Sequence, residues 1–265
     1  MNKIDLIEVK HNKKIGQNCD YIEPNIIEDS IFYSDGLPVG FYLSQMPDKM
    51  CKLADLANAE FRSNNVPKTY LDRMETVKLS KLGIKRSDAR KIGVSQMSTI
   101  IGSVPPKPVM RRPYASISSV HSQKNAQIFI KAMLLLAKES EQLIKEILPN
   151  QYETQLNLFN SINDKWKFGN LFTSSISNYN ISAPYHRDTG NIQGTVNVII
   201  CKKFNSKGGD LNIPDYNATI GQKDNSILVY PVWKNIHGVT PIIPTFEGGY
   251  RNSLVFYPLK AFVNL

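Results

Sequence analysis

The chain has 265 residues, 42% of them hydrophobic, which is enough for one substantial core or two small domains. No apolar run approaches the roughly 18 residues that span a bilayer, and Met1-Asn2-Lys3-Ile4-Asp5 lacks the apolar core of a signal peptide, so a cytoplasmic or nucleoid-associated protein is expected. The net charge is +9, and three cysteines, Cys19, Cys51 and Cys201, with no CxxC spacing imply neither a disulfide framework nor a zinc site.

From Met1 to about Asn25 the residues are polar with scattered Ile, consistent with a strand or two or an ordered arm. Residues Ile31 to Tyr42 read as two strands around the turn signal Asp35-Gly36, a hairpin expected to extend the core sheet at its edge. Pro47-Asp48 starts a helix to about Asn64, with Met50, Leu53, Ala54, Ala57 and Phe61 at three- and four-residue spacing.

Residues 62–112 hold twelve Lys and Arg against Asp72, Glu75 and Asp88, so this segment carries the whole imbalance of the chain. Within it Leu71, Met74, Leu79, Leu82, Ile84 and Ile92 alternate with basic residues. A solvated helix face is the ordinary reading of such a run; a phosphate-contacting surface is the other. Gly102 to Pro108 is too rich in Gly and Pro for helix or central strand and reads as a loop that presents Arg111-Arg112.

Ser122 to Leu148 is the clearest helix. Phe129, Met133, Leu136, Leu143 and Ile147 form one apolar stripe that should pack on the outer face of a sheet, and Pro149-Asn150 ends it. From Leu171 onward the pattern changes to short β-branched and aromatic runs: Leu171–Ser177, Ala183–Asp188, Thr195–Cys201, Leu211–Ile213, Ile227–Tyr230, Asn235–Val239 and Asn252–Tyr257. Many short strands separated by turn signals argue for a sandwich or jelly roll.

Polar residues of one particular spacing lie within those strands. His186-Arg187-Asp188 is an HxD pair, and an extended strand puts both side chains on one face. His237 follows forty-nine residues after Asp188, and Arg251 fourteen after His237. HxD alone is a weak signal, but two of the four His in the chain fall at the required places. Two His and a carboxylate make a facial triad that holds Fe(II) and leaves room for a bidentate 2-oxo acid and O₂. A buried Arg251 would then hold the far carboxylate of 2-oxoglutarate through paired charge-assisted hydrogen bonds.

The run His186-Arg187-Asp188-Thr189-Gly190-Asn191, the Gly208-Gly209 turn, Ile236-His237-Gly238-Val239 and Arg251-Asn252-Ser253 resemble the core of the Fe(II)/2-oxoglutarate dioxygenases, and among them the TET/JBP branch, which oxidises the 5-methyl group of pyrimidine bases in nucleic acid. The resemblance covers roughly residues 170–260. It implies an α+β fold with a double-stranded β-helix (jelly-roll) core over 165–262. Residues 1–150 become an N-terminal helical and basic extension with an edge hairpin, the whole of 1–265 forming a single domain.

It further implies His186, Asp188 and His237 as ligands of Fe(II), Arg251 with Ser253 as the 2-oxoglutarate site, and O₂ as co-reactant. Halogenating relatives usually lack the carboxylate that Asp188 supplies, so hydroxylation is the expected outcome. Asn191 is expected at the pyrimidine edge, unless it merely completes the turn after Gly190. Tyr179, Tyr185 and Trp233 are candidate stacking residues for a flipped base. Arg111 and Arg112 would reach phosphate or the 2-oxo acid; the sequence does not distinguish these. The expected substrate is 5-methylcytosine or thymine in DNA, with a free nucleotide, amino acid or protein side chain as the alternative. The sequence departs from the larger TET enzymes in lacking their Cys-rich metal-binding region, so DNA engagement is expected to be arranged differently.

Overall fold

The structure is a computed structural model that describes residues 1–71, 83, 85, 96–107, 109 and 112–265. The alternation from Met74 to Ile92 lies outside the described residues, as do Arg73, Lys78, Lys81, Arg86, Arg90, Lys91 and Arg111 of the basic segment.

A ten-stranded sheet forms the floor of the molecule. Its strands are β1 (Asn2–Asp5), β2 (Ser30–Ser34), β3 (Leu37–Leu43), β4 (Thr69–Tyr70), β5 (Met97–Val104), β6 (Ser116–Ile117), β7 (Ser174–Tyr179), β9 (Asn197–Phe204), β13 (Ile227–Tyr230) and β16 (Tyr250–Tyr257). They run in the order β1-β2-β3-β13-β9-β16-β7-β5-β4, with β6 also paired to β5. A four-stranded sheet, β12-β11-β14-β8, lies opposite, built from β8 (Ala183–His186), β11 (Leu211–Ile213), β12 (Ala218–Ile220) and β14 (His237–Val239). A small ribbon of β10 (Ser206–Gly208) and β15 (Ile242–Pro244) completes the strands among the described residues. This is the jelly roll expected from the short-strand pattern.

Two cores explain the layering. Helix α1 (Asp48–Arg62) and helix α2 (Gln127–Ile147) press Phe61, Phe129, Met133 and Leu136 onto one face of the large sheet, against Ile200, Leu254 and Phe256. Phe32, Tyr42, Leu228 and Tyr230 on the other face meet Leu211 and Ile213 of the small sheet. Strand β13 therefore needs apolar residues at every position: Ile227 and Val229 serve the first core, Leu228 and Tyr230 the second. Each such fully buried side chain contributes on the order of 1.5–3 kcal/mol of burial free energy.

The β2–β3 hairpin turns at Asp35 and Gly36, both at positive φ (53° and 76°), which is the type I′ geometry the dipeptide encodes. It pairs with β13 and so extends the large sheet, with β1 outside it at the edge. The N-terminal arm then runs over the small sheet. Gly16 N–H donates to Tyr185 O and Tyr185 N–H donates to Gln17 O, so the arm behaves as an irregular extra strand beside β8.

Three local expectations are corrected. Gly102 to Val104 is strand rather than loop, because β5 pairs through Gly102 with β7; Gly102 has φ +79°, and a Cβ there would sit 2.8 Å from Thr173 O. Pro149 ends α2 but also opens helix α3 (Pro149–Phe159), since a proline at the first helical position lacks only an N–H that has no partner there anyway. The strand expected to run to Asp188 stops at His186, leaving Asp188 in the turn beyond it.

The loop before β7 is held by a buried carboxylate. Glu141 of α2 accepts from Asn170 N–H (2.6 Å), Asn170 Nδ2 (2.9 Å) and Leu171 N–H (3.1 Å). Burial raises its pKa, and those bonds oppose the rise. Gly169 is required beside it, because a Cβ there would lie 2.3 Å from Glu141 Oε1 at φ +78°.

Candidate metal centre

His186 is the last residue of β8 and His237 the first of β14, and the two are cross-strand partners in the antiparallel pair. Their rings lie 4.4 Å apart between centroids. Asp188, two residues beyond β8, comes back to within 3.5 Å of His186 Nε2. The ligating atoms of His186, Asp188 and His237 all lie within 4.8 Å of one another, which brings the three residues read from the sequence to one point.

Backbone carbonyls set the imidazole tautomers. Nδ1 of His186 is 2.7 Å from Pro184 O, and Nδ1 of His237 is 3.1 Å from Asn235 O. A carbonyl accepts only, so each Nδ1 carries the proton; in the neutral rings each Nε2 then presents its lone pair, that of His186 beside Asp188 Oδ1, to which the protonated ring donates instead. The two rings differ in environment. The hydrogen bond to Asp188 raises the pKa of His186, while burial lowers that of His237.

The centre opens into a cavity of about 370 Å³ between the two sheets. Strand β16 contributes Arg251, Ser253, Val255 and Tyr257 to its floor, every second residue, while the intervening Leu254 and Phe256 go to the helical core. Arg251 is 4% exposed, and its Nε has no hydrogen-bond partner among the described residues. Its stem lies over Gly209, where a Cβ would come within 2.8 Å of Arg251 Cδ. The Gly208-Gly209 turn, with φ of 73° and 71°, is thus shaped around the arginine.

At the other end of the floor Tyr257 lies near Asp188, and burial, with that carboxylate adding to it, pushes its phenol well above the usual range. Asn191 also lines the cavity, buried, with Nδ2 donating to Asn197 Oδ1 at 3.0 Å. Its N–H donates to Asp188 O, so it closes the turn as well as facing the cavity. Sequence reasoning missed Tyr257, Asn197 and Gln222 in the lining, none of which stands in a recognisable motif.

The expected stacking aromatics are not brought to the cavity. Tyr185 neighbours His186 in the chain and therefore faces the other side of β8; it is fully buried with its hydroxyl donating to Asn212 Oδ1 at 2.8 Å. Tyr179 stacks on Tyr250 and Phe61 on the helical side. Trp233 donates its Nε1–H to Thr195 O. Arg112 does not line the cavity either: its guanidinium donates to Pro105 O at 2.6 Å.

The chain shares its fold with a solved structure of NgTET1 in complex with 5mC DNA, at 17% identity over 95% of this chain and 84% of that one, with a TM-score of 0.59. Looser alignments join it to OsALKBH1 (12% identity, 90% of this chain and 99% of that one, TM-score 0.41) and to an oxidoreductase of the 2OG-Fe(II) oxygenase family from Burkholderia pseudomallei (14%, 77% and 88%, TM-score 0.36). No protein-family model matches the chain, and no curated protein matches it.

Proposed function

We propose that this protein is an Fe(II)/2-oxoglutarate-dependent dioxygenase that hydroxylates the 5-methyl group of a pyrimidine base, 5-methylcytosine or thymine, in DNA. One observation carries the enzymatic reading: His186, Asp188 and His237 converge within 4.8 Å in the cavity whose floor presents a buried guanidinium with an unpartnered Nε. Two free imidazole nitrogens and one carboxylate suit a ferrous ion with open coordination positions. Bound there, Fe(II) supplies the redox chemistry by which O₂ and 2-oxoglutarate convert a C–H bond to C–OH, with succinate and CO₂ as the other products.

The chain's own residues do the rest. His186, Asp188 and His237 hold the ion. Arg251, with Ser253 two residues along the same strand face, binds the far carboxylate of 2-oxoglutarate. Ile176, Ile199, Leu211 and Val255 give the cavity apolar walls that exclude water from the reacting groups. Asn191, whose Oδ1 accepts nothing from the described residues, is placed to accept a hydrogen bond from a pyrimidine edge.

The substrate class rests on two supports. The fold is that of a TET protein solved with 5mC DNA, and residues 62–112 concentrate the positive charge of the chain. Among the described basic residues of that segment, Arg62 lies over the Tyr250 ring and Lys68 is half-buried beside Ser63 O. A phosphate-contacting surface on this segment, 62–112, is part of the proposal. A duplex base reaches the cavity only when flipped out, at a cost of a few kcal/mol that such contacts must offset.

The test is incubation with Fe(II), 2-oxoglutarate, ascorbate and duplex DNA containing thymine and 5-methylcytosine, then digestion to nucleosides and mass spectrometry. A hydroxymethyl nucleoside that disappears in His186→Ala is the expected result. Succinate formation without any modified nucleoside would retain the oxygenase and remove DNA as its substrate. No succinate under any condition would overturn the enzymatic reading.

A further inference from the structure

Gln222 follows β12 in the loop leading to β13, 1% exposed, and it lines the same cavity as Arg251 and His237. Neither its Nε2 nor its Oε1 has a hydrogen-bond partner among the described residues. A buried amide left wholly unpaired is destabilising, so a protein that keeps one has a use for it.

Its neighbours place it at the arginine end of the cavity. Gln222 N–H donates to Asp210 Oδ1 at 2.7 Å, and Asp210 directly follows Gly209, on which the Arg251 stem lies. Asp210 is also 3.7 Å from Lys203 Nζ, and Lys203 is the cross-strand partner of Arg251. On the other side Cys201 Sγ is 3.7 Å from Gln222 O, and Cys201 is the cross-strand partner of Ser253. Two orphaned polar groups, the Gln222 amide and Arg251 Nε, therefore belong to one corner of one cavity. The Gln222 backbone is held from two directions, which fixes where its side chain leaves the loop.

Resting on the dioxygenase reading, we propose that Gln222 is a second binding residue for 2-oxoglutarate, its Nε2 donating to the far carboxylate that Arg251 holds. The carboxylate satisfies both sets of orphaned donors at once, and Gln222 Oε1 is left to accept from the guanidinium or from an ordered water. Gln222 thereby contributes to selection of a dicarboxylic 2-oxo acid over a monocarboxylic one, because only the former has a group for it to meet.

The experiment is anaerobic calorimetric titration of the Mn(II)-loaded protein with 2-oxoglutarate and with 2-oxopentanoate, which has the same chain length and lacks the far carboxylate. Wild type should prefer 2-oxoglutarate. Gln222→Leu should weaken 2-oxoglutarate binding on the order of ten-fold or more, the loss of a hydrogen bond to a charged group, and leave 2-oxopentanoate binding unchanged. Gln222→Glu, nearly identical in shape, should weaken 2-oxoglutarate further by placing like charges together and again spare 2-oxopentanoate. It serves as the independent variant should the leucine fail to fold by circular dichroism.

If both variants bind 2-oxoglutarate as wild type does while Arg251→Met does not, Gln222 has no such role and the dioxygenase reading stands. An equal loss for both ligands also overturns the proposal, since it marks a general disturbance of the cavity. If wild type itself binds no 2-oxoglutarate, the dioxygenase reading fails and this proposal with it.

Discussion

Asn235 O stands 3.1 Å from Nδ1 of His237, and the side chain of Asn235 is in turn fixed by Asp215 Oδ2 at 2.7 Å and by the Tyr230 hydroxyl at 3.1 Å. Asp215 also accepts from His11 of the N-terminal arm at 2.6 Å. Burial alone would raise the Asp215 pKa, but the bonds from Asn235 and His11 outweigh it and hold the carboxylate below its usual range. A line of hydrogen bonds thus runs from the arm to a candidate metal ligand.

Asp215→Ala should accordingly weaken metal binding without removing a ligand. Groups that orient a ligating His typically contribute 10–100-fold in affinity, and a loss of about that size is expected in a Co(II) titration followed by absorbance. His11→Ala should give a smaller loss of the same kind. Unchanged affinity in both variants would mean that Asn235 is held well enough by Tyr230 alone.

Gly209→Ala should separate cosubstrate from metal. The new Cβ would lie 2.8 Å from Arg251 Cδ and 3.1 Å from its Nε, at a backbone φ of +71° that alanine adopts only under strain. Arg251 must move, so 2-oxoglutarate affinity should fall at least ten-fold, roughly one charge-assisted bond, while Co(II) binding stays near wild type. Calorimetry on the metal-loaded variant checks this, and a parallel loss of metal would show that the whole cavity had shifted.

The legible parts of the sequence were those in which one periodicity had one cause. The hairpin at Asp35-Gly36, the stripe of α2 and the continuous apolar run of β13 each follow from local geometry together with the faces they bury. That His186, Asp188, His237 and Arg251 meet at one cavity was legible because the chemistry expected of them restricts residue type and order. Tyr185 misled because nearness in sequence to His186 is, on a strand, the reason it faces away. Strand β5 was hidden by Gly102, whose positive φ serves a close approach to Thr173 rather than a loop. Gln222 gave no signal at all, since what singles it out is that its amide has no partner among the described residues.

Stability should depend on pH through His121. Its Nε2 accepts the Gly102 N–H at 2.8 Å, which requires the unprotonated ring, and burial lowers its pKa. A folded pKa below the unfolded value of about 6.5 means that this contribution is complete above that pH and is lost as pH falls below it. Melting temperature should drop between pH 7 and pH 5, by about 2–4 °C for each kcal/mol lost. His121→Gln keeps an acceptor that does not titrate, so its melting temperature should fall less over the same interval. An identical fall in both proteins would assign the pH dependence to other groups.

Asn191 separates substrate engagement from the rest of the site. It is buried in the cavity wall and bound through Nδ2 to Asn197 Oδ1 at 3.0 Å, and it touches none of the three candidate metal ligands except through its backbone N–H to Asp188 O. Asn191→Ala preserves that backbone bond and removes only the amide. Metal and 2-oxoglutarate affinities should therefore remain within about two-fold of wild type. Turnover of a methylpyrimidine substrate should fall on the order of ten- to a hundred-fold in kcat/KM, the range for one specific base-edge contact. Asn197→Ala should show a weaker form of the same defect, because it frees the Asn191 amide to rotate without deleting it. Substrate turnover at the wild-type rate in Asn191→Ala would reduce the residue to its turn, which its bond to Asp188 O already explains.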